Sequence, residues 1–379
     1  MKFFHLADLH LGKRYCEFSL IDDQKYILGQ ILNEAKTERP DAVVIAGDIY
    51  DKSVPSAEAV ELFDWFLSQL NALGLQIIAV SGNHDSAERI AFGASLMRSS
   101  GVHFSPVYAG ELQSVTLTDE YGEITFYLLP FVKPASVRRF FEGEEVATYN
   151  DAVSLALKGL PVNGEIRNVL VAHQFVTGST SSGSEEFIVG DIGNVDCSVF
   201  SAFDYVALGH VHGAQNIGSE RVRYSGTPLK YSLSERLNRK SITVVEMREK
   251  GSLTVRTIPL KPLRDVTEIK GSYDEITKKS FYEGTTLTTD FVHAVLTDEE
   301  EVPDANAKLR LIYRNLTGLK YDNTRTRADN YEDFHEDGTQ KSPFEMFASL
   351  FRAQNNSEMT ERQKALCEAL IERIWGEEE

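Results

Sequence analysis

Cysteine is scarce in this chain, which has three in 379 residues. Cys16, Cys197 and Cys367 lie far apart and are not at metal-binding spacing, which argues against a disulfide framework and a structural zinc site. Long apolar runs are also missing, since none approaches the roughly 20 residues that a transmembrane helix needs. Near the N-terminus, His5 and Asp8 interrupt the sequence before the apolar region of a signal peptide could form. We therefore expect a cytoplasmic protein with reduced thiols and no membrane association.

Basic residues are outnumbered, with 39 Lys and Arg against 57 Asp and Glu, for a formal net charge of −18. Taken alone, this charge disfavours a nucleic-acid partner, whose phosphates attract Lys and Arg. The basic residues are not evenly distributed, however. A small cluster lies at residues 133–139, and residues 221–240 carry six basic side chains against Glu235 alone. These six are Arg221, Arg223, Lys230, Arg236, Arg239 and Lys240. Net charge therefore does not decide the partner.

The length predicts two or three domains. Residues 1–100 alternate strands with helices (20–37, 56–73 and 86–99), which is typical of βαβ units on a parallel sheet. Beyond residue 100 mostly strands follow, so we predict an α/β fold in which a second sheet packs on the first, with helices outside, over residues 1–259. A small α+β domain is predicted for 260–325, with strands at 265–270 and 308–313.

The C-terminal part, residues 326–379, is predicted to combine a polar linker with two helices. Ser342 with Glu345, and Thr360 with Gln363, form capping-box patterns at the helix starts. Each helix then presents an apolar face, built from Phe344, Phe347, Phe351, Leu366, Leu370 and Ile374. A helix pair left unpacked would expose these residues, so we predict that it binds a partner.

Five segments place polar side chains where predicted strands end. They are Asp8-Leu-His10, Gly47-Asp48-Ile-Tyr-Asp51, Gly82-Asn83-His84-Asp85, His173 and Gly209-His210-Val-His212. The ends of parallel strands meet at one edge of a sheet, where α/β proteins bind their ligands. His5, His103, His293 and His335 lie outside these segments, and we interpret them as structural.

The five segments supply carboxylate, amide and imidazole donors, which suit Mn²⁺, Fe²⁺ or Zn²⁺. The candidate ligands are Asp8, His10, Asp48, Asn83, His173, His210 and His212. A pair of divalent ions needs a bridging carboxylate, and Asp48 is the natural candidate. Two ions about 3.5–4 Å apart would stabilise both the attacking and the leaving oxygen of a phosphate ester.

The order D-x-H, G-D-x-x-D, G-N-H-D, H, G-H-x-H resembles that of the calcineurin-like metallophosphoesterase superfamily. Residues 5–12, 47–51, 208–213 and 224–231 are more closely similar to the SbcD family, the nuclease components of bacterial SbcC–SbcD complexes. The resemblance implies a two-sheet metallophosphoesterase sandwich, a capping domain at 260–325 that binds DNA, and a C-terminal helix pair that docks on a partner's coiled coil.

The resemblance also implies roles for the site residues. One metal would be held by Asp8, His10, Asp48 and His212. The other would be held by Asp48, Asn83, His173 and His210. His84 would act beside the metals as a catalytic residue without ligating them, and Asp85 would orient a ligand. Asp51 stands where archaeal and eukaryotic relatives have His, so its role is left open.

The activity that the resemblance implies is Mn²⁺-dependent DNA cleavage, as a 3′→5′ double-strand exonuclease and hairpin endonuclease. It would act in DNA recombination, replication and repair, in a heterotetramer with two copies of an SbcC-type ATPase. The six basic residues of 221–240 would contact DNA. Trp65, predicted on the polar side of its helix, would lie in a homodimer interface of the catalytic domain. The alternatives are a two-metal phosphoesterase acting on nucleotides or phosphoproteins, and a DNA-end-binding scaffold.

Overall fold

The computed structural model describes residues 1–181, 183, 193–326, 342–355 and 357–375. They belong to two compact units, Met1–Val266 and Thr267–Glu379. The predicted three-part division stays a prediction, because most of the predicted linker lies outside the described residues. None of the described helices combines the length and the apolarity needed to cross a membrane.

The first unit contains fourteen named strands in its described part. They are β1 (Lys2–Leu6), β2 (Arg14–Tyr15), β3 (Phe18–Ser19), β4 (Ala42–Ala46), β5 (Gln76–Val80), β6 (Val102–Phe104), β7 (Gln113–Asp119), β8 (Gly122–Leu129), β9 (Arg167–His173), β10 (Tyr205–Gly209), β11 (Gln215–Ile217), β12 (Ser219–Tyr224), β13 (Ser241–Met247) and β14 (Leu253–Pro259). Its helices are α1 (Ile21–Glu38), α2 (Ala57–Ala72), α3 (Ala87–Ile90), α4 (Ala94–Met97), α5 (Pro134–Arg138) and α6 (Tyr149–Leu157).

Two six-stranded mixed sheets form the first unit, in the orders β14-β13-β1-β4-β5-β6 and β11-β12-β10-β9-β8-β7. An apolar core joins them, with Phe3 and Val44 from one sheet and Phe126 and Val171 from the other, all fully buried. Helix α2 packs on β5 of the first sheet, and α6 contributes to the core on the outer face of the second. The predicted two-sheet α/β sandwich with outer helices is confirmed.

The structure corrects two predictions for helices of this unit. The helix predicted over 86–99 is broken into α3 and α4, because Gly93 adopts φ 72° between them. The break leaves Phe92 and Leu96 81% and 79% exposed. Trp65 is half-buried instead of exposed, with Lys25 Nζ of α1 5.9 Å from its ring centroid. The most exposed apolar side chains of this region are therefore near α3 and α4, and not at Trp65.

In the second unit, β15 (Val266–Gly271), β16 (Phe291–Leu296) and β17 (Asn315–Tyr321) form a three-stranded sheet. The helices are α7 (Tyr273–Ile276), α8 (Lys279–Tyr282), α9 (Ala305–Arg310), α10 (Pro343–Asn355) and α11 (Glu361–Trp375). The strand predicted at 308–313 is wrong, because helix α9 and a turn occupy it. Leu309 of this helix and Tyr313 just after the turn are buried, whereas Leu311 in the turn is 83% exposed.

Candidate metal centre

The five polar segments lie at the carboxyl ends of β1, β4 and β5 of one sheet and of β9 and β10 of the other. Four of the seven predicted ligands adopt positive φ angles, namely Asp8 (54°), His10 (43°), Asp48 (50°) and His210 (102°). Such angles cost a residue other than glycine about 1–3 kcal/mol and persist only where neighbouring structure holds them, typically at functional sites. The loops after β1 and β4 hold each other, through bonds from Asp8 N to Gly47 O (3.0 Å) and from His10 N to Asp48 O (2.9 Å).

Glycines beside the polar residues permit their close approach. A Cβ atom on Gly82 would lie 2.1 Å from Asp48 Oδ1, and one on Gly47 would lie 2.3 Å from His173 Nδ1. A Cβ atom on Gly209 would lie 1.9 Å from Ala46 O. Glycine at these positions therefore lets the strand ends of the two sheets come close enough for their side chains to converge.

Asp48 lies at the centre of the cluster and is 2% exposed. Its Oδ2 lies 3.4 Å from His173 Nε2, 3.6 Å from His10 Nε2 and 4.0 Å from His84 Nε2. Two groups with metal-ligand geometry share Asp48. One is His10, Asp48 and His84, the other Asp8, Asp48 and His173, and within each group the ligand atoms all lie within 4.8 Å of one another. A shared carboxylate of this kind is what a dinuclear centre requires.

The imidazole of His173 is oriented by the backbone. Its Nδ1 donates to Ala46 O at 2.8 Å, so in the neutral ring the lone pair is on Nε2. That Nε2 faces two oxygens, Asn83 Oδ1 at 3.0 Å and Asp48 Oδ2 at 3.4 Å. Asn83 Oδ1 also lies 2.9 Å from His210 Nδ1. A nitrogen lone pair pointing at oxygen acceptors needs a cation between them, either a proton or a metal ion.

On the opposite side of the cluster, two imidazoles face each other. His10 Nε2 and His212 Nε2 are 3.2 Å apart. His212 Nδ1 lies 3.0 Å from a carboxylate oxygen of Glu235, to which it donates, so its lone pair is on Nε2. The buried His10 Nδ1 has no hydrogen-bond partner. The donors present, carboxylate and amide oxygens with imidazole nitrogens, therefore fit divalent metal ions.

Burial and charge act in opposite directions on this cluster. Burial lowers the pKa of His173, but the carboxylates of Asp48 and Asp8 more than offset it and raise that pKa to about 9. Burial raises the pKa of Asp8 to about 7. Burial also acts to raise the pKa of Asp48, but the imidazoles around it hold that pKa below its ordinary value. Without metal, the cluster holds protons near neutral pH that divalent cations would displace.

The sequence matches two protein-family models. Residues 1–214 match the model of the calcineurin-like phosphoesterases, and residues 262–355 match a domain described as the type 5 capsule protein repressor C-terminal domain. The chain is 34% identical over 323 residues, 84% of its length and 85% of the relative's, to the SbcD component of the nuclease SbcCD of Staphylococcus epidermidis. The chain belongs to the calcineurin-like phosphoesterases, as an SbcD homologue. It is therefore a hydrolase of the metal-dependent nuclease type.

Among solved structures, a dimetal phosphatase from Danio rerio is 13% identical, with a TM-score of 0.40 over 69% of this chain and 98% of that one. A phosphoesterase from E. coli is also 13% identical, with a TM-score of 0.26 over 69% of this chain and all of that one. These scores are too low to support a conclusion about the site of this SbcD homologue.

His84 lies at the rim of the cluster, with its side chain 22% exposed. Its Nδ1 lies 3.0 Å from Asp51 O, to which it donates, and its backbone N–H donates to Asp48 Oδ1 at 2.9 Å. Its Nε2 is therefore the ring nitrogen left free to exchange a proton at this partly exposed position. The Asp51 carboxylate bonds Lys13 Nζ at 2.6 Å and lies 3.8 Å from His10 Nδ1. Asp85 accepts the backbone N–H groups of Gly82, Ile49 and Tyr50, and so ties the loops after β4 and β5.

The six predicted DNA-contacting residues differ in exposure. Arg221 and Arg239 are exposed, while Arg223, Lys230 and Arg236 are half-buried. Lys230 Nζ is bonded to Arg236 O and Asp265, both at 2.8 Å. Lys240 is 8% exposed, and its Nζ bonds Glu235, Thr227 and the carbonyl of His212. The structure therefore places Lys240 behind a candidate metal ligand and not on a surface that DNA could reach.

Residues that the sequence interpretation did not select also support the cluster. Gln24 donates to His10 O at 2.8 Å, the Tyr231 hydroxyl donates to Leu9 O, and Glu235 holds His212. Of these, only Glu235 had a sequence signal, since it is the single acid in a basic stretch. His5 is fully buried between Tyr205 Oη and Leu208 O, consistent with a structural role, while His335 lies outside the described residues.

Proposed function

We propose that this protein is a Mn²⁺-dependent DNA nuclease with 3′→5′ double-strand exonuclease and hairpin endonuclease activity. The observation that carries the proposal is the buried cluster around Asp48, whose oxygen and nitrogen donors lie within metal-ligand distance of one another, in an SbcD homologue. Its action on DNA would place the protein in recombination, replication and repair in the cytoplasm.

The ligands we propose for one ion are Asp8, His10, Asp48 and His212, and those for the other are Asp48, Asn83, His173 and His210. When bound, two divalent ions would polarise the phosphodiester and lower the pKa of water. Mixed oxygen and imidazole donors favour Mn²⁺, with Fe²⁺ and Zn²⁺ as alternatives. In the structure, the Asp8 carboxylate also lies 3.9 Å from His173 Nδ1, so Asp8 is close to both proposed ligand sets.

His84 is proposed to protonate the leaving oxygen of the cleaved strand. Its Nδ1–H is directed to Asp51 O, which leaves Nε2 as the nitrogen that exchanges protons with substrate. The side chain is more exposed than those of His10 and His173, so a phosphate above Asp48 can reach it. Asp51, paired with Lys13, fixes the backbone that orients the His84 ring.

DNA is proposed to contact the basic side chains that remain accessible in residues 221–239. Arg239 is exposed and lies in the short loop between Glu235 and β13, as does Leu237, which is 83% exposed. Because Glu235 contacts His212, this loop lies at the metal cluster. Local positive charge here would offset the repulsion expected from the net charge of −18.

The partner that we propose is an SbcC-type ATPase in a heterotetramer with two copies of each chain. The relative from S. epidermidis is named as a component of SbcCD. Helices α10 and α11 pack on each other and begin with the expected capping boxes, such as Ser342 with Glu345. Their exposed apolar side chains are Met346, Phe347, Leu350, Leu366 and Leu370. An apolar surface of this kind suits docking on a coiled coil. The side chain of Ile374, also predicted for this surface, lies outside the described residues.

We propose that the homodimer contact is made by the segment around α3 and α4 and not by Trp65. Phe92 and Leu96 are among the most exposed large apolar residues in the described chain, and they follow directly after the His84 segment. An isologous contact through them would bring two catalytic sites together, as paired DNA strands require.

The direct test is cleavage by purified protein with Mn²⁺ of duplex DNA, hairpin DNA, nucleotides and bis(p-nitrophenyl) phosphate, with and without the ATPase. We expect DNA to be cut from the 3′ end, and Asp48→Asn protein to be inactive on every substrate. Efficient hydrolysis of nucleotides without cleavage of DNA would refute the nuclease assignment. Tight DNA binding without hydrolysis of any ester would indicate a scaffold.

A further inference from the structure

Glu235 and Lys240 form a buried ion pair directly behind His212. Glu235 is 0% exposed and Lys240 is 8% exposed, and their Oε2 and Nζ atoms are 2.6 Å apart. The other carboxylate oxygen, Oε1, is 3.0 Å from His212 Nδ1. Charges buried this deeply lose their hydration, and a well-packed apolar pair would often be at least as stable. The pair therefore calls for a role beyond stability.

The contacts show that the pair fixes both the ring and the backbone of His212. Lys240 Nζ donates to the carbonyl oxygen of His212 at 3.0 Å and to Thr227 Oγ1 at 2.6 Å. The Thr227 backbone N–H donates to the same carbonyl at 3.1 Å. Close packing on this carbonyl also involves Gly226, where a Cβ atom would lie 2.7 Å from it. His212 is thus held from both sides, and its ring is aimed at His10.

The two sides of the cluster are oriented by different groups. Glu235, a carboxylate, accepts from His212 Nδ1, whereas a neutral backbone carbonyl, Ala46 O, accepts from His173 Nδ1. A carboxylate behind an imidazole fixes its tautomer and increases its donor strength toward a metal, and loss of such partners typically costs 10–100-fold in metal affinity. Loss of Glu235 should therefore lower the affinity only for the ion that His212 would bind.

We propose that Glu235 and Lys240 are positioning residues that hold His212 Nε2 toward His10 for a divalent cation, so that their loss weakens one of the two metal sites selectively. This inference rests on the proposed dinuclear function. It concerns cation binding by this pair of imidazoles and does not depend on DNA being the substrate.

The test is a Mn²⁺ titration of metal-free full-length protein, followed by electron paramagnetic resonance, for Glu235→Gln, Lys240→Met and the double variant. We expect Glu235→Gln to weaken one of two sites by about 10–100-fold, with the other within about twofold of wild type. Each single variant leaves one buried charge unpaired, so each should lower the thermal midpoint of the metal-free protein. The double variant removes both charges and should recover that midpoint without recovering metal affinity.

A matched control breaks a distant ion pair. Arg167 is 1% exposed and pairs with Asp119 at 2.6 Å at the start of β9, about 20 Å along the strand from His173. Asp119→Asn should lower the thermal midpoint and leave both Mn²⁺ affinities unchanged.

Two results would overturn the inference. One is wild-type affinity at both sites in Glu235→Gln. The other is recovery of both stability and affinity in the double variant, which would make the pair structural only. Wild-type protein that binds two Mn²⁺ with the expected variant pattern but cleaves no DNA would refute the proposed function and leave this inference standing.

Discussion

Replacing His84 by alanine should slow the reaction without removing a metal ion. His84 Nε2 is 4.0 Å from Asp48 Oδ2, farther than His173 Nε2 at 3.4 Å and His10 Nε2 at 3.6 Å. Its side chain is 22% exposed, against 1% for His10 and 0% for His173. A side chain that is farther from Asp48 and more exposed to solvent is better placed to exchange protons with the substrate than to bind a metal ion. However, His84 also fits geometrically into a metal-binding group with His10 and Asp48, so the two roles must be separated by experiment.

The size of the effect follows from the role. A positioned acid contributes roughly 10²–10⁴-fold to the rate, which corresponds to about 2.7–5.4 kcal/mol in activation free energy. DNA cleavage expels a sugar hydroxyl, a poor leaving group that needs a proton. An ester of p-nitrophenol expels a stable anion that needs none. His84→Ala should therefore slow DNA cleavage roughly 10²–10⁴-fold. It should slow hydrolysis of bis(p-nitrophenyl) phosphate by no more than about tenfold.

The assay measures kcat on both substrates for the wild type and the variant. The number of Mn²⁺ ions bound per chain is measured on the same preparations. His103→Ala is the matched control, because His103 is a half-buried histidine that lies 3.1 Å from Gln76 Oε1 and contacts no proposed ligand. Equal losses on the two esters would contradict acid catalysis. A fall in stoichiometry from two ions to one would make His84 a ligand.

Three further predictions concern the metal, the dimer and the tail. His173 and Asp8, with pKa values of about 9 and about 7, must release protons to bind metal, so Mn²⁺ affinity should rise from pH 6 to 9, with proton release in calorimetry. Constant affinity over that range would contradict the assigned ligands. Phe92→Glu should halve the mass measured by light scattering, whereas Leu311→Glu, equally exposed in the second unit, should not. Ending the chain after residue 335 should abolish co-purification with the ATPase and preserve ester hydrolysis. Retained binding to the ATPase would show that α10 and α11 pack within this protein and do not dock on the partner.

The motifs at the strand ends can be recognised from the sequence because they depend only on short, local residue patterns. Short apolar runs that end in polar residues indicate the strands β1, β4 and β5, and the structure contains all three. Topology then brings their ends together, since neighbouring parallel strands finish at one edge. The convergence of the side chains on Asp48 therefore followed from the motif order, although their assignment as ligands stays a prediction.

Features set by tertiary packing could not be predicted in this way. Its place in a basic stretch predicts that Lys240 contacts DNA, yet the fold buries it against Glu235. Residues 308–313 fit alternation and helical spacing equally well, and burial of Leu309 and Tyr313 decides for the helix. Trp65 looked exposed on its own helix, but helix α1 and Lys25 cover part of it. In each case, packing in the folded chain determines the environment of the residue.

Anomalous diffraction from crystals of the wild-type protein soaked in Mn²⁺ would show directly whether Asp48 bridges two metal ions. We expect two manganese peaks about 3.5–4 Å apart, both in contact with the Asp48 carboxylate, one beside His10 and His212 and the other beside His173 and His210. A single peak, or two peaks of which one does not contact Asp48, would contradict a dinuclear centre built on that carboxylate.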